Sequence, residues 1–427
     1  MTARIERVRL DYGHSGVNVD LDWKIADYDI IEPKNLPALQ EPDRTFLDSV
    51  SGPVGSATLD NIVLPSDELV IVTADGTRPV PNKFLIQAII DFCRLDPGKV
   101  TVLVGTGSHR PHSKDELIEL LGHEVVNNCR VLCHDATNKG MLQFLGTTSH
   151  GIPVYMNKIY VEATKRIVIG FIEPHFFAGY SGGAKGICPA ICGMETINAF
   201  HSYEIIGHPD SDYGFLENNP QQAAAREVTA LAPPDFLVNV ILNHQKDMSH
   251  IFAGHFIEAH RAGCRAAAET AVVRLGQKYP IVVTSNSGYP LDQNLYQTVK
   301  GIAAASLITE AGGTIIVASE CIRGVPDDGN FAKILTARSD PESLLDMMSK
   351  SEFRMMDRWQ AQKLAMILKR MKVMVYSSLG RDRIEKCKMF KIDDIQSTLA
   401  DEIAALGYRP RVAVMPRGPL TIPQLIK

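Results

Sequence analysis

Short apolar runs rich in valine and isoleucine alternate along the chain with longer segments in which apolar residues recur at helical spacing. Residues 69–73, within "ELVIVTADGTRP", predict a buried strand that ends in a turn before a helix. The next unit has the strand "KVTVLV", the loop "GTGSHRPH" and a helix that starts at Ser113, because Ser113 and Glu116 match a capping box. This alternation predicts an α/β fold with mostly parallel sheets.

The same alternation divides the chain into two parts. The strands "RVLCHDA", "RIVIGFIEP" and "FLVNVILN" precede a long helical segment that ends near residue 275, and a new series then begins with "PIVVTSNSG". A chain of 427 residues is also long for a single domain. We therefore predict two α/β domains, residues 1–275 and 276–427, with a cofactor and substrate cleft between them.

Composition narrows the possible functions. With 45% hydrophobic residues, 22% charged residues and a formal net charge of -5, the chain has an ordinary globular composition. It has no basic run and no aromatic RNA-binding signature, so a nucleic-acid partner is not expected. No apolar run has the length of a signal peptide or a membrane span. The 8 cysteines show no CxxC pattern, which favours a cytoplasmic protein with reduced thiols and a small-molecule substrate.

Polar clusters stand at predicted strand ends, where ligand-binding residues gather in open α/β sheets. The cluster "DGTRP" contains Asp75, Thr77 and Arg78. Arg78 either closes a local ion pair with Asp75 or grips a planar carboxylate with its guanidinium group. The cluster "YPLDQNLYQTVK" places Tyr296 and Lys300 on one helical face. Lys300 is either a solvated helix residue or a second cation for an acidic substrate.

Three histidines in polar loops, His109, His175 and His201, leave several interpretations open. They could bind zinc or iron, since catalytic zinc commonly takes three protein ligands, but the HExxH spacing of a short-range pair is missing. Two of them could instead serve as acid and base, because imidazole titrates near neutral pH. Any one of them alone could be a structural histidine.

Lys185, in "SGGAKG", has its own alternatives. The glycines could form an anion nest around a phosphate, with the lysine as counter-charge. A Walker loop is excluded, because Ala184 and Gly186 stand where GxxxxGK[ST] requires glycine and Ser or Thr. The nearby Cys188 and Cys192 are either two metal ligands on one helical face or small packing residues.

Taken in order, the motifs of this chain resemble the nickel-dependent lactate racemase family over nearly its whole length. The motifs are "DGTRPVP", "TGSHRPH", "FIEPHFFAGYSGGAKG", "AFHS", "GYPLDQNLYQTVKG" and "DRWQAQKLAMIL". The resemblance implies two α/β domains around a nickel-pincer nucleotide, the nickel complex of pyridinium-3-thioamide-5-thiocarboxylic acid mononucleotide. It also implies separate host proteins that make this cofactor.

By this resemblance, Lys185 carries the cofactor as a thioamide and His201 supplies the fourth nickel ligand, which agrees with the absence of clustered protein ligands. His109 and His175 are the alternate acid and base, one for each enantiomer. The implied reaction is racemisation or 2-epimerisation of a 2-hydroxy acid. The cofactor takes a hydride from C2 while a base takes the hydroxyl proton, and the hydride returns to either face of the planar 2-keto acid.

The resemblance also assigns the remaining site residues. Those that hold the substrate carboxylate are Arg78, Lys300 and the neighbouring Gln297. Those that contact the cofactor or its phosphate are Asp75, Thr77 and Tyr296. Trp359, in "DRWQAQ", either lines the site or packs between the domains.

Three positions depart from the lactate racemases. Gly76 replaces a histidine, Ser108 replaces a bulkier residue and Ala184 replaces a basic one. These smaller side chains predict a roomier or differently charged pocket, so the substrate is lactate or a larger, more polar 2-hydroxy acid such as a dicarboxylic or sugar acid. Two other function classes stay open: a zinc or iron hydrolase that uses the three histidines, and a non-catalytic protein that binds hydroxy acids or nucleotides.

Overall fold

The computed structural model describes residues 4–326 and 329–426. The strands of these residues are β1 (Ile5–Leu10), β2 (Val17–Asp22), β3 (Asp27–Ile30), β4 (Leu69–Ala74), β5 (Val100–Gly105), β6 (Arg130–Cys133), β7 (Leu142–Thr147), β8 (Pro153–Asn157), β9 (Lys165–Phe171), β10 (Pro174–His175), β11 (Gly179–Tyr180), β12 (Phe236–Leu242), β13 (Met248–Gly254), β14 (Val272–Leu275), β15 (Tyr279–Ser285), β16 (Thr309–Ala318), β17 (Lys372–Tyr376), β18 (Phe390–Ile392), β19 (Arg411–Met415) and β20 (Ile422–Leu425).

The α-helices of the same residues connect these strands. They are α1 (Pro42–Ser51), α2 (Leu59–Ile62), α3 (Asn82–Phe92), α4 (Lys114–Leu121), α5 (His123–Asn128), α6 (Lys158–Glu162), α7 (Met194–Phe200), α8 (Tyr203–Gly207), α9 (Pro220–Ala230), α10 (Glu258–Ala271), α11 (Leu295–Ser306), α12 (Phe331–Thr336), α13 (Pro341–Ser349), α14 (Arg358–Leu368), α15 (Arg381–Lys386) and α16 (Ile395–Leu406).

The first large sheet has the strand order β13-β12-β9-β4-β5-β6. All neighbouring strands are parallel except β13, which pairs antiparallel with β12 at one edge. From β4 the chain adds β5 and β6 on one side and later β9 and β12 on the other, so the strand order reverses at β4. The loops after β4, β5 and β9 therefore open onto one crevice at the carboxyl ends of these strands.

The second large sheet has the order β18-β17-β16-β15-β19-β3, and all of its strands are parallel. Its strand order reverses at β15, which leads into α11. The side chain of Asn294 caps α11 by accepting a hydrogen bond of 2.9 Å from the Gln297 N–H. This cap fixes the start of the helix that carries Tyr296, Gln297 and Lys300 towards the first sheet.

The predicted fold class of two mostly parallel α/β sheets is confirmed, and the capping box of Ser113 and Glu116 is present at the start of α4. One helix was predicted too long. The helix predicted to reach about residue 275 ends at Ala271, and Val272–Leu275 forms a strand that pairs in parallel with β20. The two valines at this point favour an extended backbone, and the partner strand lies near the other end of the chain.

The described residues before residue 31 associate with the second sheet. β3 pairs with β19 at its edge, and Leu10 and Leu21 of the β1–β2 hairpin share a buried cluster with its Val283. The alternating apolar residues of this hairpin are buried against a face of the second sheet, whose other strands lie far away in the sequence. The boundary near residue 275 itself stays a prediction.

Helix α14 joins the second sheet to the segment that follows α7 and α8. The Lys363 ammonium donates to Asp212 Oδ2 at 2.6 Å and to the Ser211 carbonyl at 3.3 Å, and the Lys363 side chain is only 7% exposed. Gln362 Nε2 donates to the Tyr203 carbonyl at 2.8 Å. These buried contacts hold the two halves of the cavity described below at a fixed separation.

Replacing Lys363 by methionine should lower the free energy of unfolding by about 3 kcal/mol, because it leaves Asp212 with an uncompensated, mostly buried charge. Urea unfolding followed by circular dichroism measures the change. The control is Lys369→Met, which breaks the exposed ion pair with Glu342 and should cost less than about 1 kcal/mol. Equal losses in the two variants would contradict this account.

Candidate active site

The carboxyl ends of β4, β5 and β9, together with the start of α11, surround a cavity of about 220 Å³. This position follows from the reversal of strand order at β4 and at β15. The site residues that the sequence predicted all line this cavity: Asp75, Thr77, Arg78, His109, His175, Lys185, His201, Tyr296, Gln297, Lys300 and Trp359. The fold therefore brings together residues that are widely separated along the chain.

Asp75 and His109 form a hydrogen-bonded pair on one wall of the cavity. His109 Nδ1 lies 2.6 Å from Asp75 Oδ2, and the Thr77 N–H donates to Asp75 Oδ1 at 3.1 Å. Burial raises the pKa of Asp75, but the His109 and Thr77 hydrogen bonds and the positive charge of Arg78 outweigh burial and lower this pKa to about 2. The ionised carboxylate accepts the Nδ1 hydrogen of His109, which leaves Nε2 free to take a proton.

His175 and Lys185 form a second pair. The His175 Nδ1 atom accepts hydrogen bonds of 3.2 Å from the N–H groups of Phe177 and Ala178, so the neutral ring carries its hydrogen on Nε2. That Nε2 atom lies 3.1 Å from Lys185 Nζ. An Nε2–H group can donate to the lysine only if the amine is neutral.

The electrostatics of this second pair agree with a neutral amine. Burial, followed by the charges of Arg78 and Lys300, lowers the pKa of Lys185 to about 7. Burial and the neighbouring cations also hold the pKa of His175 well below its usual range. A neutral lysine in a glycine-rich loop is a nucleophile available for covalent attachment.

His201 follows the C-terminal end of α7 and contacts the second half of the chain. Its Nδ1 atom lies 2.9 Å from the Ile197 carbonyl, so Nδ1 donates and the Nε2 lone pair remains free. The ring stacks on Trp359 with centroids 4.5 Å apart, and Trp359 Nε1 donates to the Tyr296 hydroxyl at 3.0 Å. Burial lowers the pKa of His201 to about 3. A neutral imidazole in a fixed orientation is suited to bind one metal ion.

Arg78, Lys300 and Gln297 supply polar groups without strong partners. Arg78 makes no ion pair with Asp75, contrary to one of the two predicted alternatives, and donates instead to Thr77 Oγ1 at 3.2 Å. Lys300 is 8% exposed rather than solvated, and burial followed by the charge of Arg78 lowers its pKa to about 7. Gln297 Oε1 is buried without a hydrogen-bond partner among the described residues. A small carboxylate would satisfy the two cations, and a hydroxyl group of the same ligand would donate to Gln297 Oε1.

The alternative of a zinc or iron site built from the three histidines finds no support in the geometry. Within residues 4–326 and 329–426, no three His, Cys, Asp or Glu side chains converge as the ligands of a metal ion would. His109, His175 and His201 share the cavity without meeting around one point. Cys188 and Cys192 are buried free thiols, which fits the packing interpretation of this pair.

Two family models match the chain. Residues 12–214 match the lactate racemase N-terminal domain, and residues 276–422 match the lactate racemase C-terminal domain. The chain belongs to the lactate racemase family. The lactate racemase of Thermoanaerobacterium thermosaccharolyticum is 34% identical over 375 residues, which are 87% of this chain and 88% of that protein. The lactate racemase of Lactiplantibacillus plantarum is 33% identical, with the same shares covered.

Solved structures agree with this assignment. The lactate racemase apoprotein from Thermoanaerobacterium thermosaccharolyticum has a TM-score of 0.92 and 31% identity, covering 98% of this chain and 100% of that one. A crystal structure from Thermotoga maritima shares the fold, with a TM-score of 0.69, 17% identity, and 92% and 100% coverage. The chain is thus an isomerase of the racemase class, which sets aside the hydrolase and the non-catalytic protein. No helix in the described ranges has both the length and the apolar character of a membrane span.

Sequence reasoning missed the side chains that hold the loop of this racemase between His175 and Lys185. Gln222 Nε2 donates to two loop carbonyls, at 2.8 and 2.9 Å, and Asn219 donates to a third at 2.8 Å. Asn239 accepts from the Gly183 N–H, and His260 lies 2.8 Å from the Ser181 carbonyl oxygen. Single amides in ordinary helices and strands carry no motif, so the sequence offered no signal for them.

The three positions predicted to depart from the family lie in different surroundings. Ser108 lines the active-site cavity. Gly76 lines a second cavity of about 220 Å³ on the other side of Arg78. Ala184 is 3% exposed and lines neither cavity. It is packed under the loop, and its carbonyl accepts a hydrogen bond from the Thr229 hydroxyl. Ala184 therefore does not line the active-site cavity, and the roomier or differently charged pocket stays a prediction.

A small amine-reactive reagent should modify Lys185 of the cofactor-free racemase near neutral pH. Because the pKa of Lys185 is lowered to about 7, its neutral amine prevails above that pH, whereas an unperturbed lysine stays charged until about pH 10. Acetylation at a series of pH values, followed by peptide mass spectrometry, should give a half-maximal rate near pH 7 for Lys185. The exposed Lys83 is the internal reference, and identical pH profiles for the two lysines would overturn the assignment.

Proposed function

We propose that this racemase inverts C2 of a 2-hydroxy acid by hydride transfer to a nickel-pincer nucleotide carried on Lys185. One observation supports this proposal above all others: a single cavity contains a lysine whose pKa burial lowers to about 7, an imidazole with a free Nε2 atom and two further histidines. The donor set fits the cofactor. Lys185 would hold it covalently, and His201 would complete the shell of a nickel ion that has three cofactor donors.

Arg78, Lys300 and Gln297 hold the substrate in this proposal. The guanidinium and the ammonium groups bind the carboxylate, and the free Oε1 atom of Gln297 accepts a hydrogen bond from the substrate or a bound water. These contacts keep the planar 2-keto acid in place long enough for attack on either face. They also explain why two cations remain without ion-pair partners in the described part of the cavity.

His109 and His175 act as the two bases. His109 is oriented by the Asp75 carboxylate, which also stabilises the imidazolium that forms when Nε2 takes the hydroxyl proton. His175 is held neutral by burial and by neighbouring cations, and it takes the hydroxyl proton at Nε2 from the tautomer that carries its own hydrogen on Nδ1. Each enantiomer presents its hydroxyl group to one of these histidines.

The bound cofactor would supply a hydride acceptor at C2, a position whose C–H bond is too weakly acidic for imidazole to deprotonate. Trp359 keeps the His201 ring in one plane by stacking on it, and Tyr296 holds Trp359 through its hydroxyl group. Asp75 and Thr77 would contact the cofactor or its phosphate at the same end of β4. Host proteins that make the cofactor are required partners in this proposal.

Intact-protein mass spectrometry with nickel analysis tests the proposal on protein made together with the cofactor-producing enzymes. Wild type should carry a covalent adduct and nickel, and Lys185→Ala should carry neither. His201→Ala should keep the adduct with less nickel. His109→Ala should keep both while its kcat for lactate, or for the 2-hydroxy acid that wild type racemises, falls by about 100-fold or more.

A lactate racemase from Lactiplantibacillus plantarum, loaded in parallel, serves as the positive control. If that enzyme gains adduct and nickel while this chain gains neither, the tethered cofactor is wrong for this chain. If Lys185→Ala keeps the full adduct, the attachment point is wrong.

A further inference from the structure

A carboxylate that the sequence analysis did not single out, Glu173, lies behind the two cations of the substrate site. The Glu173 N–H donates to Ser181 Oγ, and the Glu173 carbonyl accepts from the Ser181 N–H, each at 2.9 Å. These bonds fix the backbone directly after β9. The Glu173 side chain then lines the second cavity rather than the active-site cavity.

Each of the two proposed substrate cations lines the active-site cavity and also a cavity that Glu173 lines. Arg78 lines the active-site cavity and also the second cavity, which Glu173 shares. Lys300 lines the active-site cavity and also a small cavity of about 10 Å³, which Glu173 and His175 share. A cavity of this size has room for about one water molecule. Among the described residues, the Glu173 carboxylate makes no hydrogen bond and no ion pair within 4 Å, so it acts on both cations through space.

The titration behaviour reflects this arrangement. Burial raises the pKa of Glu173, and the charges of Arg78, Lys300 and Lys185 oppose that effect. Burial and the charge of Arg78 lower the pKa of Lys300, and Glu173 opposes them. Glu173 and Lys300 together carry no net charge, whether both are ionised or the proton has moved from one to the other.

The charges around the substrate site are therefore balanced before any substrate binds. Arg78 and Lys300 are matched by the two carboxylates Asp75 and Glu173. In the cofactor-free protein Lys185 adds no charge once its amine is neutral, which its lowered pKa of about 7 allows near neutral pH. Among the described residues, three further cations line the second cavity but not the active-site cavity: Arg417, which is paired with Asp11 at 3.0 Å, and the exposed Lys34 and Lys246. A substrate carboxylate can lie between the two cations, but a second carboxylate close to C3 would find no unpaired cation in the described part of the active-site cavity. Burying it without a partner is costly.

We propose that Glu173 is a specificity-determining residue that restricts this racemase to 2-hydroxy acids with a single carboxylate. The inference rests on the proposed function, which places the substrate carboxylate at Arg78 and Lys300. It favours lactate or a monocarboxylic sugar acid over a four-carbon dicarboxylate. Neutral hydroxyl groups on a longer chain bring no charge and remain acceptable.

Two unreactive acids test this inference by isothermal titration calorimetry on the cofactor-free protein near neutral pH. 2-Hydroxy-2-methylpropanoate has one carboxylate, 2-methylmalate has two, and neither has a hydrogen on C2. Wild type should bind the monocarboxylate at least about tenfold more tightly. Glu173→Gln should shift the ratio of the two affinities towards the dicarboxylate by about tenfold, because it removes one negative charge near both cations.

Two further variants separate charge from structure. Glu119→Gln removes the same charge from an exposed helix position and should leave the ratio unchanged. Glu173→Asp keeps the carboxylate and should keep the wild-type preference, whereas a merely structural role would make it resemble Glu173→Gln. A wild-type protein that prefers 2-methylmalate, or a Glu173→Gln ratio equal to that of wild type, overturns the inference. The wild-type comparison remains decisive even if Glu173→Gln does not fold.

The outcome for Glu173 is independent of the outcome for the cofactor. If the affinities change as expected but the loaded enzyme racemises no 2-hydroxy acid, the proposed function fails and the charge assignment stands. If the loaded enzyme racemises lactate while the ratio does not respond to Glu173, the specificity inference alone fails.

Discussion

Burial of several positive and titratable groups in one interdomain cavity is the constraint on which the rest of the site depends. Removing Lys185, Lys300, His175 and His201 from water disfavours their charged forms. Burial lowers the pKa of Lys185 to about 7 and keeps the imidazoles of His175 and His201 neutral. In water the two lysines would be protonated at neutral pH. The fixed hydrogen bonds at His109, His175 and His201 then decide which nitrogen of each ring is available.

The fold creates this burial by joining two crevices. One lies where the strand order of the first sheet reverses at β4, and the other lies where that of the second sheet reverses at β15. Either crevice alone would be open to solvent. The ion pair between Lys363 and Asp212 and the stacking of Trp359 on His201 hold the two crevices together as one cavity. The second half of the chain thus covers the loop residues of the first half. The side-chain amides of Asn219, Gln222 and Asn239 hold this loop in place.

The sequence predicted which residues line the cavity better than it predicted how the surrounding elements pair. Strands with continuous apolar runs and residues in recurring motifs, such as His109 and Lys185, could be placed because their signals are local. The pairing of β3 with β19 could not be predicted, because it joins segments from opposite ends of the chain. Glu173 lay inside a quoted motif, yet its position behind Arg78 and Lys300 depends on a reversal of chain direction that spacing does not show.

The central claim, that C2 loses a hydride rather than a proton, is tested most directly by isotope retention. The cofactor-loaded enzyme would be given one enantiomer of its 2-hydroxy acid with deuterium at C2, in ordinary water. The account predicts that the product enantiomer keeps the deuterium, because the C2 hydrogen leaves and returns without meeting solvent. Replacement of the deuterium by solvent hydrogen at the rate of racemisation would contradict hydride transfer and show that a base removes the C2 proton.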